Sequence, residues 1–140
     1  ANVSTVKATW DAGLSTTSAM DVTTTNSSDV SIRKEQALDV TCNGLPDFAY
    51  SYADFDAEPG QCVLYRLTAT NTGAEAVMNV RIQDATPAFT AFITAGGLPK
   101  LSQGALESPV VNGGRGSVVG LMGTVPAGDQ ATLTFGIKIQ

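Results

Sequence analysis

Hydrophobic and polar positions alternate along Pro59–Gly73, PGQCVLYRLTATNTG, the stretch around which the rest of the chain is arranged. One face of this alternation is apolar and the opposite face is mostly polar, as expected for a strand that is buried on one side. The Pro-Gly at its start and the Asn-Thr-Gly at its end are turn signals. The stretch therefore predicts a central strand of a sheet, with its apolar face formed by Val63, Tyr65, Leu67 and Ala69 and its opposite face by Leu64, Arg66, Thr68 and Thr70.

Similar alternation recurs at regular intervals after residue 29. Apolar positions recur at every second residue in three further stretches: DVSIRK, with Val30 and Ile32 inward; NVRIQDATP, with Val80 and Ile82 inward; and ATLTFGIKIQ, with Leu133, Phe135, Ile137 and Ile139 inward. FTAFITAGG adds a short strand that stops at two glycines, and a further short strand is expected around Leu106 to Val111. Turn signals every 8–12 residues and no helical period predict an all-β, immunoglobulin-like β-sandwich of about seven strands.

The first 28 residues differ from the rest. ANVSTVKATWDAGL has the pattern of an extended strand, with Val6, Ala8 and Trp10 on one face and Val3 on the other. The next residues, STTSAMDVTTTNSSD, are almost entirely polar, which is typical of a linker or an exposed edge strand. We therefore predict an N-terminal extended arm over residues 1–28, a candidate donor strand with a Ser/Thr-rich linker, and a sandwich over residues 29–140.

Composition and charge narrow the class of protein. Charged residues make up 15% of the 140 residues, below the roughly 25% of an average domain, as in secreted and surface β proteins. A net charge of −5 leaves no basic face for nucleic acid or anionic lipid. No apolar run approaches the roughly 20 residues of a membrane helix, so membrane insertion is not expected. A start at Ala1 suggests an extracellular or cell-surface protein after signal-peptide removal, although a chain cut at that point would look the same.

The two cysteines, Cys42 and Cys62, fit one disulfide in an oxidising compartment. Such a bond would close a loop of about twenty residues, for which loop-closure entropy gives roughly 3 kcal/mol of stability. Two unpaired buried thiols are the alternative.

Catalytic chemistry has little support in the sequence. The chain contains no histidine, which excludes Ser-His-Asp and Cys-His catalysis and removes the commonest zinc ligand. Asp54, Asp56 and Glu58 leave paired-carboxylate hydrolysis as a formal option only. We expect that the protein is not an enzyme and has no cofactor, with calcium as the one ion to consider.

The calcium option rests on oxygen ligands at alternating positions before a glycine, namely Asp39, Thr41 and Asn43, with Asp47 beyond. The third position is threonine rather than aspartate, and no glutamate stands at position twelve of the loop. The alternative is a disulfide-tethered turn held by ordinary Asx hydrogen bonds.

Four aromatic residues lie within eight positions of the same region: Phe48, Tyr50, Tyr52 and Phe55. One strand face cannot bury four such side chains, so an exposed aromatic cluster is expected. Such a cluster would suit binding to a glycan or a protein.

Several segments together resemble a known family. They are SDVSIRKEQALDVTCNGLPD, PGQCVLYRLTATNTG, NVRIQDATP and VPAGDQATLTFGIKI, in that order. Over residues 29–140 the chain resembles the bacterial conserved-repeat surface domain of unknown function, the eleventh of that naming series. The resemblance implies an extracellular immunoglobulin-like sandwich that serves as a spacer, adhesive or assembly module, and it implies no catalytic residue.

The arm supplies the functional hypothesis. An extended arm can add a strand to the exposed sheet edge of another copy, with Val3, Val6, Ala8 and Trp10 at the interface. We therefore expect a structural subunit of an extracellular filament that self-assembles head-to-tail by donor-strand complementation, with copies of itself as partners. The arm could instead fold back on its own sandwich or stay unordered. The alternative function is a cell-surface adhesin or a glycan- or protein-binding module.

Overall fold

The computed structural model describes residues 7–9, 17–18, 30–53 and 55–140. The described residues form ten β-strands and one short 3-10 helix, Ala95–Gly97. The strands are β1 (Lys7–Thr9), β2 (Thr17–Ser18), β3 (Val30–Asp39), β4 (Cys62–Asn71), β5 (Val77–Ala85), β6 (Thr90–Ile93), β7 (Lys100–Leu101), β8 (Ala105–Leu106), β9 (Ser117–Val125) and β10 (Gln130–Ile139).

The strands form two antiparallel sheets with the core between them. Sheet A has the order β2-β1-β5-β9-β8, and sheet B has the order β3-β4-β10-β6, with β7 also paired to β10. The predicted all-β sandwich is confirmed. Among the described residues, no helix is long and apolar enough to cross a membrane.

The central position of the stretch after Pro59 is confirmed. β4 pairs with β3 on one side and β10 on the other over almost its whole length. Its predicted apolar face is buried in the core. Two of the four residues on the opposite face, Leu64 and Thr68, are also buried, which its polar pattern did not predict. Leu64 packs there against Cys62, Ile93 and Leu98. Side chains outside sheet B therefore cover β4 as well.

The core packs the inner faces of the two sheets against each other. Phe135 on β10 lies at its centre, with ring centroids 5.3 Å from Tyr65 and 6.0 Å from Phe92. Ile82 on β5 and Met122 on β9 supply the facing layer from sheet A. The inward alternation predicted for β10 is therefore confirmed, with Ile139 only partly buried at its end.

Two parts of sheet A differ from the simple pattern. β8 covers only Ala105–Leu106, so the short strand expected around Leu106 to Val111 is displaced toward the N-terminus. β5 carries a bulge, with register shifts between Val77 and Arg81, and Asn79 there has a φ of 55°. A bulge inserts residues that the period of two does not anticipate.

One buried ion pair joins the two sheets. Nζ of Lys34 on β3 lies 2.8 Å from Oδ2 of Asp84 on β5, and the Asp84 side chain is fully buried. The same ammonium lies 4.4 Å from the centroid of the Tyr65 ring. The pair therefore lies between the two sheets, with Lys34 on β3 of sheet B and Asp84 on β5 of sheet A.

Candidate functional site: the β5 edge and the aromatic loop

The described part of the arm lies along the edge of β5. β1 pairs antiparallel with β5, with Lys7 opposite Gln83, Ala8 opposite Ile82 and Thr9 opposite Arg81. β2 pairs with the outer side of β1. Of the four predicted interface positions, Ala8 lies in β1, while Val3, Val6 and Trp10 lie outside the described residues.

Loops cover much of the other sheet edges in the described part of the chain. On β6, the N–H of Phe92 donates to Gly114, and the N–H of Thr94 donates to Oδ1 of Asn112. The second half of β3 exchanges backbone hydrogen bonds between Gln36 and Ser51. β8 is only two residues long. An exposed edge is a template for strand addition. The nine-residue β5 would be a long edge of sheet A without β1, and in this chain β1 covers that side of it.

The segment between β3 and β4 is tied down by a disulfide. Cys42 and Cys62 are bonded, so the predicted pairing is confirmed. Cys62 is buried against the outer face of sheet B, beside Leu64. A disulfide is typical of an oxidising compartment.

The oxygen-rich turn after β3 is held by backbone donors. The N–H of Gly44 donates to Oδ2 of Asp39 at 2.8 Å, and the N–H of Asn43 donates to Oδ1 at 3.2 Å. The N–H of Val40 donates to Oδ2 of Asp47 at 2.7 Å. Thr41 is exposed beside them. Asn43 forms the Asx turn, with its Oδ1 accepting from the N–H of Leu45 at 2.9 Å, while Asp39 and Asp47 connect more distant parts of the loop. Among the described residues, no group of three or more Asp, Glu, Cys or His side chains is placed to hold a metal.

Three of the four predicted binding aromatics are exposed. The exposed fractions are 62% for Phe48, 61% for Tyr52 and 38% for Phe55. The ring of Tyr52 also lies below the guanidinium of Arg33, with 6.0 Å between the ring centroid and Cζ of Arg33. The three side chains therefore offer apolar surface to solvent.

Tyr50 differs from the other three because it is half-buried. Its ring lies 4.2 Å below the guanidinium of Arg66, which also pairs with Glu35 at 3.0 Å, and it packs against the cluster around Cys62. Burial raises the pKa of the Tyr50 phenol above its ordinary 10.0, and the Arg66 charge opposes part of that rise. Tyr50 belongs to the packing of the loop rather than to an exposed cluster.

A cavity of about 480 Å³ opens at the end of the sandwich where β5 ends. Val63, Tyr65 and Ile139 line its inner wall, and Phe55 and Phe89 lie beside its opening. Phe89 is 78% exposed and has a φ of 61°. The alternation of FTAFITAGG placed Phe89 in a strand, but β6 begins one residue later, at Thr90, and Phe89 lies in the turn before it.

Comparison of the chain with protein-family models, with curated proteins and with solved structures gave no match. The resemblance to the conserved-repeat surface domain therefore stays a hypothesis. What the structure establishes is an all-β domain of two antiparallel sheets.

Proposed function

We propose that the protein is a structural subunit of an extracellular filament that assembles head-to-tail by N-terminal donor-strand complementation. In this proposal, the arm of one subunit adds to the β5 edge of the next. In the described residues the arm is folded back, with Lys7–Thr9 paired to β5 of the same chain. The observation that carries the proposal is that the side of β5 accepts this strand in a defined register. In a single chain, the arm can reach only its own β5, and in an assembly the same edge of a neighbour is available.

The register of this pairing suits a donor strand. Ala8 lies opposite Ile82, which is buried in the core. Opposed residues in antiparallel strands share a face of the sheet, so a donated arm in this register would turn the face of Val6, Ala8 and Trp10 toward the core. Burial of the tryptophan alone would remove about 150–250 Å² from water, roughly 4–6 kcal/mol before ordering costs.

The linker between arm and sandwich is long enough for exchange. If β2 stays paired with β1, residues 19–29 still connect the hairpin to β3. Eleven residues span up to about 36 Å when extended, compared with about 10 Å between packed sheets. The arm can therefore reach a neighbour without unfolding the sandwich.

Repetition of the contact between arm and β5 would link many subunits. Arm and β5 edge are different surfaces, so each subunit offers one donor and one acceptor, and the interface is heterologous. Such an interface produces an open filament unless the rotation between subunits closes a ring. The disulfide and the low charged fraction are consistent with an extracellular fibre.

Electron microscopy of the purified chain tests the proposal. The full chain should form filaments, while deletion of Ala1 to Asp11 should leave a folded monomer that elutes as a single small species. As a matched control, alanine at Thr23, Thr24 and Thr25 changes only the linker and should leave the filaments unaltered. Filaments that persist without the arm would rule out this mechanism.

A cell-surface adhesin or glycan- or protein-binding module is the second candidate function. The exposed Phe48 and Tyr52 favour it, since solvent-exposed aromatic side chains form stacking surfaces for sugars and proteins. Loss of glycan or cell binding in Phe48→Ala/Tyr52→Ala, with an unchanged circular dichroism spectrum, would support this function. Val111→Ala is the control because Val111 is also exposed but lies in another loop.

A further inference from the structure

We propose that the cavity at the end of the sandwich receives the first residues of the donated arm, with Val3 as the apolar side chain that enters it. This inference rests on the proposed function and assigns a second contact within the same interface. The cavity is lined in part by Ala88 and Phe89, which follow β5 in the chain.

The direction of β1 carries the argument. Along β1, Thr9 lies opposite Arg81 and Lys7 lies opposite Gln83. A donated arm that keeps this antiparallel register continues from Lys7 toward Asp84 and Ala85, where β5 ends. Beyond that end lie the residues that line the cavity.

The length of the arm matches the distance. Two residues of β5 remain after Gln83, about 7 Å of strand. The six residues that precede Lys7 span up to about 20 Å when extended. Four of them therefore extend past the end of β5, enough to cover the cavity mouth and to place Val3 within it.

The chemistry of the cavity suits this segment. Val63, Tyr65 and Ile139 form an apolar part of the wall, and Gln36, Asp56 and Thr90 form a polar part. The segment ANVSTV likewise mixes valines with three small polar side chains and has no charged side chain. Val3 matches the apolar part of the wall, and the backbone N–H groups of the segment match the Asp56 carboxylate as an acceptor.

Phe89 gives independent support for an apolar occupant. A φ of 61° is unfavourable for a residue with a Cβ, and the backbone there is held by the N–H of Gln140, which donates to the Phe89 carbonyl at 2.9 Å. The loop thus maintains a strained residue whose large apolar side chain is 78% exposed. An exposed aromatic side chain at the mouth of a cavity with a partly apolar wall is typical of a binding surface.

A cysteine pair tests the inference. Val3→Cys/Ala88→Cys, oxidised mildly during assembly, should give a ladder of covalent oligomers on a non-reducing denaturing gel. Ala88 is exposed, so the substitution should not disturb folding. Val3→Cys/Ala127→Cys is the control, because Ala127 is exposed in the turn at the opposite end of the sandwich and should give no ladder.

The outcomes separate the two proposals. An internally crosslinked monomer would place the start of the arm in its own cavity and overturn the inference. Filaments without any crosslink would also overturn it while leaving strand donation intact. Absence of filaments from the full, unsubstituted chain would instead count against the proposed function itself.

A second variant replaces the two phenylalanines at the cavity opening and introduces no cysteine. Phe55→Ser/Phe89→Ser should raise the critical concentration for filament formation about tenfold, measured by sedimentation, as expected for loss of about 1.4 kcal/mol of contact. Phe48→Ser is the control, since Phe48 is also an exposed phenylalanine but does not line the cavity. An unchanged critical concentration in the double variant would contradict the inference.

Discussion

At the scale of single residues, the turn after β3 depends on a glycine with two separate constraints. Gly44 has a φ of 84°, and a Cβ built there would overlap the carbonyl of Ala95 in the neighbouring loop. Its N–H is also bonded to the buried Asp39 carboxylate. The turn therefore requires glycine both for its backbone angle and for the close approach of two loops.

Gly44→Ala should lower the free energy of unfolding by about 3 kcal/mol or more. The new Cβ would overlap backbone atoms of Ala95, and the backbone cannot shift without disturbing its own packing. Gly60→Ala is the control. Gly60 has a φ of 90° but open space around its Cβ position, so only the backbone term of about 1–2 kcal/mol applies. Urea unfolding of both variants measures the difference. Equal losses would show that the contact with Ala95 has no energetic importance.

Tyr50 gives a prediction for alkaline pH. Burial raises its pKa in the folded state above the ordinary 10.0, so the folded protein holds this proton more tightly than the unfolded chain. The stability from the neutral phenol is fully present below pH 10 and is lost as pH rises through the folded pKa. Thermal melting should therefore fall more steeply above pH 10 in the natural chain than in Tyr50→Phe. Tyr52→Phe, at an exposed residue, should follow the natural chain. Identical profiles for all three would contradict the assignment.

At the scale of elements, the ion pair between Lys34 and Asp84 connects the two sheets. Asp84 lies on β5, the strand with which the arm pairs. Each charge is largely out of water, so each depends on the other for compensation. The pair therefore acts as a link between β3 and β5, in addition to the apolar core between them.

Lys34→Met should destabilise the fold by about 3–5 kcal/mol, because it leaves the Asp84 carboxylate buried without its cation. Lys34→Met/Asp84→Leu should recover most of that loss, since an apolar pair of similar volume replaces a buried ion pair at little cost. Chemical denaturation of the single and double variants measures both. A double variant as unstable as the single one would show that packing, rather than charge, dominates there.

The elements also show what the sequence could predict. Strands with strict alternation were predicted correctly, and β10 is the clearest example, because burial on one face produces the period of two. β9 was harder to recognise, since Gly120 and Gly123 interrupt its apolar positions. The burial of Leu64 could not be predicted, because it depends on contacts with Ile93 and Leu98, distant in sequence.

The candidate site was less predictable than the fold. The arm has a strand pattern, but its acceptor depends on which edges the loops cover, and that is a property of the folded domain. The role of Phe89 was not predicted, because it directly precedes Thr90–Ile93 and reads as the first residue of that strand. Tyr50 was misplaced among the exposed aromatics because its partner Arg66 lies on β4, far along the chain.

At the scale of the whole molecule, the proposed function would use one pairing in two states. Closure of the arm on its own β5 and donation to a neighbour would use the same backbone hydrogen bonds and the same register. The balance between them then depends on the linker and on concentration rather than on new contacts. The filament is therefore expected to grow with protein concentration and to share its register with the closed chain.

Crosslinking between two differently substituted chains tests donation most directly. Lys7 and Gln83 lie opposite each other in the β1–β5 pair. One chain carries Lys7→Cys and the other Gln83→Cys, and the two are mixed, assembled and mildly oxidised. Donation predicts a covalent dimer of the two chains on a non-reducing gel, and neither chain alone should give a comparable product. Absence of that dimer, when the double variant within one chain crosslinks internally, would show that the arm closes only on its own sandwich.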